Sequence, residues 1–193
     1  MSASPVAEDR VTQAWRVLGS VLDPEVPALS VVDLGIVREV AEAPDGGLDI
    51  ALTPTYSGCP ATEAIQADIR SAIKAAGLGP VRTTQRLAPA WTSDWISAEG
   101  RRKLAAYGIA PPLPVRDVSP TTNVAPSGHV ATIRFYPARP EPVEGQAQPE
   151  RALACPRCAS LHTERLSLFG STACKATYRC LACREPFEYF KPI

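Results

Sequence analysis

Apolar positions near the start of the chain recur with the spacing of an amphipathic helix. They follow the i, i+3 or i+4, i+7 pattern of one buried helix face, and they are Val11, Ala14, Trp15, Leu18, Val21 and Leu22. The pattern stops at DPEVP, residues 23–27, because Pro24 disfavours a helical conformation at the residue before it and Pro27 extends the break. The sequence therefore predicts a first helix that ends in a rigid loop holding Asp23 and Glu25.

The next apolar positions alternate with polar ones, as they do in half-buried strands. The stretch GIVREVAEAPDGGLDIALT, residues 35–53, predicts two strands joined by a PDGG turn. Over residues 60–76 the apolar period becomes that of a helix, with Gly77 as its stop. The sequence thus predicts a strand that leads through a short loop into a second helix.

A third strand at PVRTTQRL, residues 80–87, and a last helix within residues 92–109 complete this region. The last helix is expected to pack Trp95, Leu104 and Tyr107 against the rest. Helices packed on a short β-sheet predict an α+β domain over residues 8–110.

The composition changes after this domain. Residues 111–150 contain nine of the 20 prolines and few large apolar residues outside HVATIRFY, at 129–136. This predicts a mostly extended, Pro-rich linker with one candidate strand. Residues 151–193 hold five of the six cysteines and form a third region.

Composition and charge narrow the class of protein. The chain has no run of 18 or more apolar residues, and its N-terminal MSASPVAEDR lacks the apolar stretch of a secretory signal. We therefore expect a cytoplasmic protein that does not enter a membrane.

The charge is distributed unevenly along the chain. Residues 1–110 hold 10 basic and 13 acidic side chains, and residues 151–193 hold 7 basic and 3 acidic ones. That surplus is small, which argues against nucleic acid as a partner.

The cysteines of the third region have metal-ligand spacing. CPRC at 155–158 and CLAC at 180–183 are two knuckles, which predict a closed site of four thiolates, Cys155, Cys158, Cys180 and Cys183, of the zinc-ribbon type. A thioredoxin-like redox pair fits poorly because no βαβ pattern surrounds it, and an iron-sulfur cluster stays open as an alternative to zinc. Because so short a segment buries little apolar surface, the metal would contribute much of its folding free energy.

The cysteine of this region that lies outside the knuckles is Cys174, in FGSTACKATYRC. It is interpreted as a buried structural thiol, as an additional ligand of the ribbon metal, or as a partner of Cys59 in a second, labile site. His162 is a candidate ligand as well, but a surface imidazole is the simpler interpretation.

The remaining cysteine, Cys59, lies in TPTYSGCP, residues 53–60. The pattern places it at the N-cap of the second helix with Pro60 at the first helical position, where unpaired N–H groups and the helix dipole stabilise a thiolate. It is interpreted as a reactive or metal-ligating thiol, or else as a small residue in an ordinary turn. Asp23 and Glu25 are candidate oxygen ligands near it, or else solvated loop residues.

These motifs resemble two known families. DPEVP, VDLGIV at 32–37 and TPTYSGCP resemble the metal-sulfur cluster biosynthesis domain of the SufT-like family, whose signature cysteine occupies the position of Cys59. CPRC followed by FGSTACKATYRCLACREPFEYFKPI resembles the C-terminal signature of the PaaD (PaaJ) family, which is encoded with the phenylacetyl-CoA epoxidase.

The resemblance implies an accessory protein of the phenylacetyl-CoA 1,2-epoxidase of aerobic phenylacetate catabolism, which assists assembly or repair of its iron or iron-sulfur centre. It implies epoxidase subunits as partners, a structural zinc in the ribbon, and transient iron or an iron-sulfur cluster at Cys59. The alternatives are a stoichiometric non-catalytic or electron-transferring subunit, and a nucleic-acid-binding zinc ribbon. We expect no catalysis by the chain alone, because it lacks Glu-x-x-His helix pairs, a dinucleotide fingerprint and ferredoxin spacing.

Overall fold

Helices and two β-sheets make up the part of the chain that the structure, a computed structural model, describes: residues 9–56, 58–114 and 153–193. The helices are α1 Arg10–Leu18, α2 Ala61–Ala75 and α3 Ala98–Tyr107, with a short 3-10 helix at Ser93–Trp95. The strands are β1 Val37–Glu42, β2 Leu48–Leu52, β3 Val81–Gln85, β4 Ile109–Ala110, β5 Thr163–Ser167, β6 Lys175–Cys180 and β7 Pro186–Phe190. The predicted α+β class is confirmed.

The first sheet has the order β1-β2-β3 and positions the loop that carries Cys59. Strands β1 and β2 form the predicted hairpin, and β3 lies parallel to β2, so the chain has to cross over between them through α2. Helix α2, which makes this crossover, buries Ile65, Ile69 and Ile73 in the apolar core. Burial of one isoleucine side chain stabilises the fold by roughly 1.5–3 kcal/mol. The end of β2 and the start of α2 are thereby fixed on the same edge of the sheet.

Two predicted helices are shorter than their apolar patterns. Helix α1 ends at Leu18, because Ser20 and Val21 donate to carbonyls three residues back in a tight final turn, and Leu22 is 51% exposed. Helix α3 begins only at Ala98, where Ser97 caps it, and Tyr107 is 59% exposed. The expectation that Tyr107 packs inside was therefore wrong, since it lies in the last turn of α3, on its exposed side.

The second sheet joins the cysteine-rich region to the first one. Its order is β4-β7-β6-β5, and β4, from the N-terminal part of the chain, pairs parallel with β7. The N–H of Ser93 donates to the carbonyl of Ile193 at 3.0 Å, and the rings of Trp91 and Phe190 lie 6.1 Å apart. The two regions are therefore packed together along a seam made by β4, β7 and the residues that follow β7.

The apolar core consists of two clusters, and the larger one extends from the N-terminal domain into the cysteine-rich region. One cluster fills the space between α1, α2, α3 and the first sheet, and it includes Cys174 and Phe190 of the cysteine-rich region. A smaller cluster surrounds Cys155 and Cys180 and includes Ala110. The predicted boundaries at 110 and 150 stay a prediction. Most of the predicted linker, with the candidate strand at 129–136, lies outside the described residues.

No helix among the described residues is long and apolar enough to cross a lipid bilayer.

Candidate metal sites

The two cysteine knuckles adopt the same backbone conformation. In each, the N–H of the first cysteine donates to a carbonyl beyond the second one, at 2.9 Å for Cys155 and 3.0 Å for Cys180. The residue after the second cysteine has a positive φ in both, 59° at Ala159 and 66° at Arg184. This repeated turn points the two cysteines of each knuckle to the same side of the chain.

The four knuckle sulfurs form one group. The Sγ atoms of Cys155, Cys158, Cys180 and Cys183 all lie within 4.8 Å of one another. Two of the pairs are 3.8 Å (Cys155 and Cys183) and 3.5 Å (Cys158 and Cys180) apart. Two sulfurs of a tetrahedral site with Zn–S bonds of about 2.3 Å are about 3.8 Å apart. The four side chains therefore fit a single tetrahedral ion almost without rearrangement.

The candidate ligand group consists of four cysteines and contains no histidine. The N–H of Cys183 donates to Sγ of Cys180 and lowers the pKa of Cys180 to about 6. Although a backbone hydrogen bond from Ser160 opposes it, the hydrogen bond with Cys180 raises the pKa of Cys158 to about 12, so without a metal the neighbouring sulfurs share protons. A bound cation would favour the thiolate form of all four. His162 is exposed and lies outside the group, as expected for a surface imidazole.

A second candidate site surrounds Cys59, where the chain leaves β2 and enters α2. A small pocket, partly open to solvent and with a cavity volume of about 20 Å³, lies here. Its lining is mostly apolar and consists of Asp23, Glu25, Val26, Leu34, Ile36, Leu52, Pro54, Thr55, Cys59, Thr62, Ile65, Cys174 and Phe190. Cys59 is half-buried. The thiol singled out by the sequence therefore borders a space that contains two carboxylates and a second thiol.

The start of α2 differs by one residue from the prediction. Pro60 is the N-cap residue and the helix begins at Ala61, so Cys59 lies just before the cap. No side chain caps α2, which leaves the positive end of its dipole for a negative group beside Cys59. Gly58 has a φ of 85°, and a Cβ added there would meet only open space. Glycine is thus favoured at this position by the backbone conformation and not by crowding.

Asp23 and Glu25 both form a tight turn and line the pocket. Oδ1 of Asp23, which is buried, accepts the N–H of Val26 at 2.7 Å and of Glu25 at 2.9 Å. Burial raises the pKa of Asp23 although these hydrogen bonds oppose it, and burial together with the Asp23 charge raises the pKa of Glu25. Two carboxylates whose ionisation is disfavoured would be stabilised by a cation.

The cysteine-rich region closes one side of this pocket. Cys174 is 4% exposed, and its Sγ lies 3.1 Å from Oγ1 of Thr172. Burial raises the pKa of the Cys174 thiol. The adjacent Lys175 is also buried, and its Nζ lies 3.0 Å from Oε2 of Glu188 and 3.5 Å from the carbonyl oxygen of Glu25. Lys175 thereby ties the Cys174 segment to the loop that carries the carboxylates.

Tyr56 is a residue beside the pocket that sequence reasoning missed. Burial, the charges of Cys59 and Glu25, a hydrogen bond with Cys59 and the charge of Cys174 raise the pKa of Tyr56 to about 12. The phenol is therefore a hydrogen-bonding neighbour of Cys59. Its place in TPTYSGCP was the available signal, but a tyrosine in a loop has no periodicity that shows where it points.

The Cys59 pocket and the ribbon differ in how complete their ligand sets are. Among residues 9–56, 58–114 and 153–193, only the four knuckle cysteines bring three or more ligand atoms within 4.8 Å of one another. The candidate ligands around Cys59 would have to move closer to one another to hold a cation.

The VDLGIV motif has a structural task beside this pocket. Oδ2 of Asp33 accepts from Nζ of Lys103 at 2.7 Å and from Oγ of Ser30 at 2.8 Å. Although burial opposes it, these bonds lower the pKa of Asp33. Gly35 has a φ of 68°, and a Cβ there would lie 2.5 Å from the carbonyl oxygen of Trp95. The motif therefore fixes the backbone that leads into β1.

Comparison with known protein families finds one match for the N-terminal domain and one for the cysteine-rich region. Residues 12–83 match the family described as iron-sulfur cluster assembly protein, and residues 139–191 match the PaaD zinc beta ribbon domain. The first range contains Cys59, and the second contains the four knuckle cysteines and Cys174.

Two solved structures each resemble about half of the chain. One is a domain of unknown function, DUF59, from Bacillus anthracis, with 23% identity and a TM-score of 0.46 over 49% of this chain and 91% of that one. The other is a conserved hypothetical protein from Thermotoga maritima, with 30% identity and a TM-score of 0.41 over 54% of this chain and 98% of that one.

Two curated relatives differ in how much of the chain they cover. A protein of Porphyromonas gingivalis named "Fe-S protein maturation auxiliary factor" is 33% identical over 46% of this chain and 85% of its own length. A protein of Escherichia coli K12, which is named as a putative subunit of 1,2-phenylacetyl-CoA epoxidase, is 43% identical over 97% of this chain and 96% of its own length. Because this second match spans both regions and the seam between them, the chain belongs to the PaaD family of phenylacetyl-CoA epoxidase components.

Proposed function

We propose that this chain is an accessory protein of the phenylacetyl-CoA epoxidase that helps to assemble or repair the iron or iron-sulfur centre of that enzyme. The observation that carries the proposal is the contrast between two kinds of cysteine site in one chain. One is a closed group of four sulfurs, and the other is a half-buried thiol on an open pocket. A closed cage retains its metal, whereas a site with few ligands exchanges it.

In this proposal the ribbon holds a structural zinc. Sulfur separations of 3.5 and 3.8 Å suit a tetrahedral thiolate site, and residues 139–191 match a zinc ribbon family. Zinc has no redox chemistry, so it serves there to fold the β5–β7 sheet and to hold it against β4.

Cys59 is the transient ligand of the iron that is delivered. Its thiolate is a soft ligand beside the uncapped start of α2, and Asp23 and Glu25 supply negative charge on the other side of the pocket. Iron is here the cargo. Residues 12–83, which include Cys59, match an iron-sulfur cluster assembly family, and this match and the name of the Porphyromonas gingivalis relative support the role.

A second candidate function is a stoichiometric, non-catalytic subunit of the oxygenase, and the name of the Escherichia coli relative favours it. Purification of the epoxidase at native expression levels separates the two. A fixed ratio of this chain to the other subunits would favour the stoichiometric role, and a small, variable amount would favour the maturation factor.

The direct test of the proposed function is the variant Cys59→Ser. Epoxidase subunits produced together with this variant should contain as little iron as subunits produced without the chain, because the delivery ligand is missing. The variant itself should fold and keep its zinc. Ala173→Ser, at an exposed position outside the pocket lining, is the matched control and should give normal iron content. Normal iron in subunits made with Cys59→Ser would refute the proposal.

A further inference from the structure

Two thiols from distant parts of the chain line the same pocket. Cys59 comes from the loop before α2, and Cys174 comes from the segment directly before β6. They face one space because β7 pairs with β4 and places the ribbon beside the N-terminal domain. Cys174 accordingly belongs to the same apolar cluster as the core of that domain, and Cys59 packs against that cluster.

The segment that carries Cys174 is firmly held in place. Lys175 is buried and makes an ion pair with Glu188 at 3.0 Å, and its Nζ also reaches the backbone of Glu25. Phe190 borders the pocket beside Cys174 and contacts the ring of Trp91. A buried cysteine that only fills space in an apolar core has apolar neighbours. Cys174 instead shares its pocket with the carboxylates of Asp23 and Glu25.

The donor set defines a class of ligand. Two thiols and two carboxylates combine soft and hard donors, which suits divalent iron and its first-row neighbours and disfavours magnesium and calcium. Oδ1 of Asp23 is used by two backbone N–H groups, which fix the position of this carboxylate on the pocket wall. Because the donors are not yet gathered as tightly as in the ribbon, the site would release an ion more readily than the ribbon does.

We propose that Cys59 and Cys174 together are the sulfur ligands of one exchangeable divalent cation of the ferrous class, so that the ribbon supplies half of the sulfur of the transfer site. This inference rests on the proposed function and names the second ligand of the same site. On binding, each thiol loses its proton to solvent and forms one metal–sulfur bond, and no oxidation is involved.

The arrangement couples the two metal sites of the chain. Strand β6 begins next to Cys174 and ends at Cys180, a ligand of the ribbon cage. Loss of the ribbon metal would unfold this strand and withdraw Cys174 from the pocket, so that the transfer site exists only in a zinc-loaded chain.

The test uses the full, reduced chain with its ribbon zinc in place, titrated with Co²⁺ without oxygen. Co²⁺ is the probe because thiolate-to-cobalt charge-transfer absorption reports the number of metal–sulfur bonds. The wild-type chain should bind one Co²⁺ with such a band and keep its zinc. Cys59→Ser and Cys174→Ser should each keep about half of the band and bind Co²⁺ at least roughly tenfold more weakly, since even supporting residues of metal sites have effects of that size.

Controls separate ligation from folding. Cys174→Ala tests the same loss with an apolar side chain in case serine is not tolerated in this buried position, and zinc content together with circular dichroism verifies the fold of each variant. Ala173→Ser and His162→Ala should leave both the band and the affinity unchanged, because neither residue lines the pocket.

Two results would overturn the inference. One is a wild-type chain that shows no thiolate-to-cobalt band. The other is a Cys174 variant, either serine or alanine, with the wild-type band and affinity while Cys59→Ser loses them. The second result would leave Cys59 as the sulfur ligand and the proposed function intact, since that function is judged separately by the iron content of the epoxidase subunits.

Discussion

At the scale of single residues, Asp23 illustrates a conflict between stability and binding. Burial raises its pKa above the ordinary aspartate value, so the folded chain disfavours the ionised form. The ionised form is therefore a cost to folding at neutral pH, and that cost disappears when the pH falls below the ordinary value and the group is protonated in both states. Such a cost is expected where a carboxylate is kept for a ligand.

Asp23→Asn should consequently be at least as stable as the wild type at pH 7. The amide oxygen can still accept the N–H groups of Glu25 and Val26, and the buried charge is removed. Chemical denaturation from pH 7 down to pH 3 should show this advantage shrinking as the pH falls, while Co²⁺ binding at pH 7 is weakened. A variant less stable than the wild type at pH 7 would contradict this account of Asp23.

Asp45 provides the opposite case as a control. Its hydrogen bonds with Arg82 lower the pKa of Asp45 to about 2, so its contribution to stability is present above the ordinary aspartate value and is lost as the pH falls towards 2. Asp45→Asn should therefore be slightly less stable than the wild type at pH 7, with no effect on Co²⁺ binding.

At the scale of elements, we expect the ribbon to depend on a bound metal for its fold and the N-terminal domain not to. The apolar cluster around Cys155 and Cys180 is small, whereas α1, α2, α3 and the first sheet share a large one. A structural zinc contributes on the order of 10 kcal/mol to the folding of a small zinc domain. Each knuckle cysteine is thus expected to be essential to the β5–β7 sheet.

Cys180→Ser should lose the ribbon metal and unfold β5, β6 and β7 while α1, α2 and the first sheet persist. Zinc analysis together with limited proteolysis measures this, with cleavage concentrated after residue 153. Ser167→Ala, at an exposed position on β5, is the matched control and should keep its zinc. A Cys180→Ser chain that retains one tightly bound metal and resists protease would rule out the four-thiolate cage.

Elements with local signals were predictable from the sequence, and the seam was not. The hairpin, α2 and the two knuckles follow from periodicity and ligand spacing within a few residues. The early end of α1 was missed because Val21 and Leu22 continue its apolar spacing beyond the last helical turn. The position of Cys174 in the Cys59 pocket was one of three interpretations, because it depends on the pairing of β4 with β7, which no local pattern reports.

At the scale of the whole molecule, the ribbon presents apolar side chains to solvent along and beside β5, the edge strand opposite to β4. Strand β5 is the edge of its sheet, and it and its neighbouring segments carry exposed residues that we term the ribbon apolar face: Leu161, Leu166, Leu168, Phe169 and Leu181. An edge strand beside exposed apolar side chains is a surface that favours contact with a partner. The proposed client, a component of the epoxidase, is expected to dock here.

Leu168→Asp should weaken binding to the client at least roughly tenfold, since an unpaired carboxylate buried in an apolar interface costs more than the roughly 1.4 kcal/mol that corresponds to a tenfold change. Titration of the purified client with the chain measures this, and zinc content verifies the fold. Leu87→Asp, at a similarly exposed leucine of the N-terminal domain, is the matched control and should bind normally. Equal binding by the two variants would place the client elsewhere.

The most direct measurement of the central claim is iron transfer between purified proteins without oxygen. The zinc-containing chain is loaded with Fe²⁺, mixed with iron-free epoxidase subunits and separated from them, and iron is then measured in each fraction. The account predicts that iron moves to the epoxidase faster than from an equal concentration of free Fe²⁺ with a chelator present, and that Cys59→Ser removes this advantage. Iron that stays with the chain, or transfer at the same rate with Cys59→Ser, would contradict it.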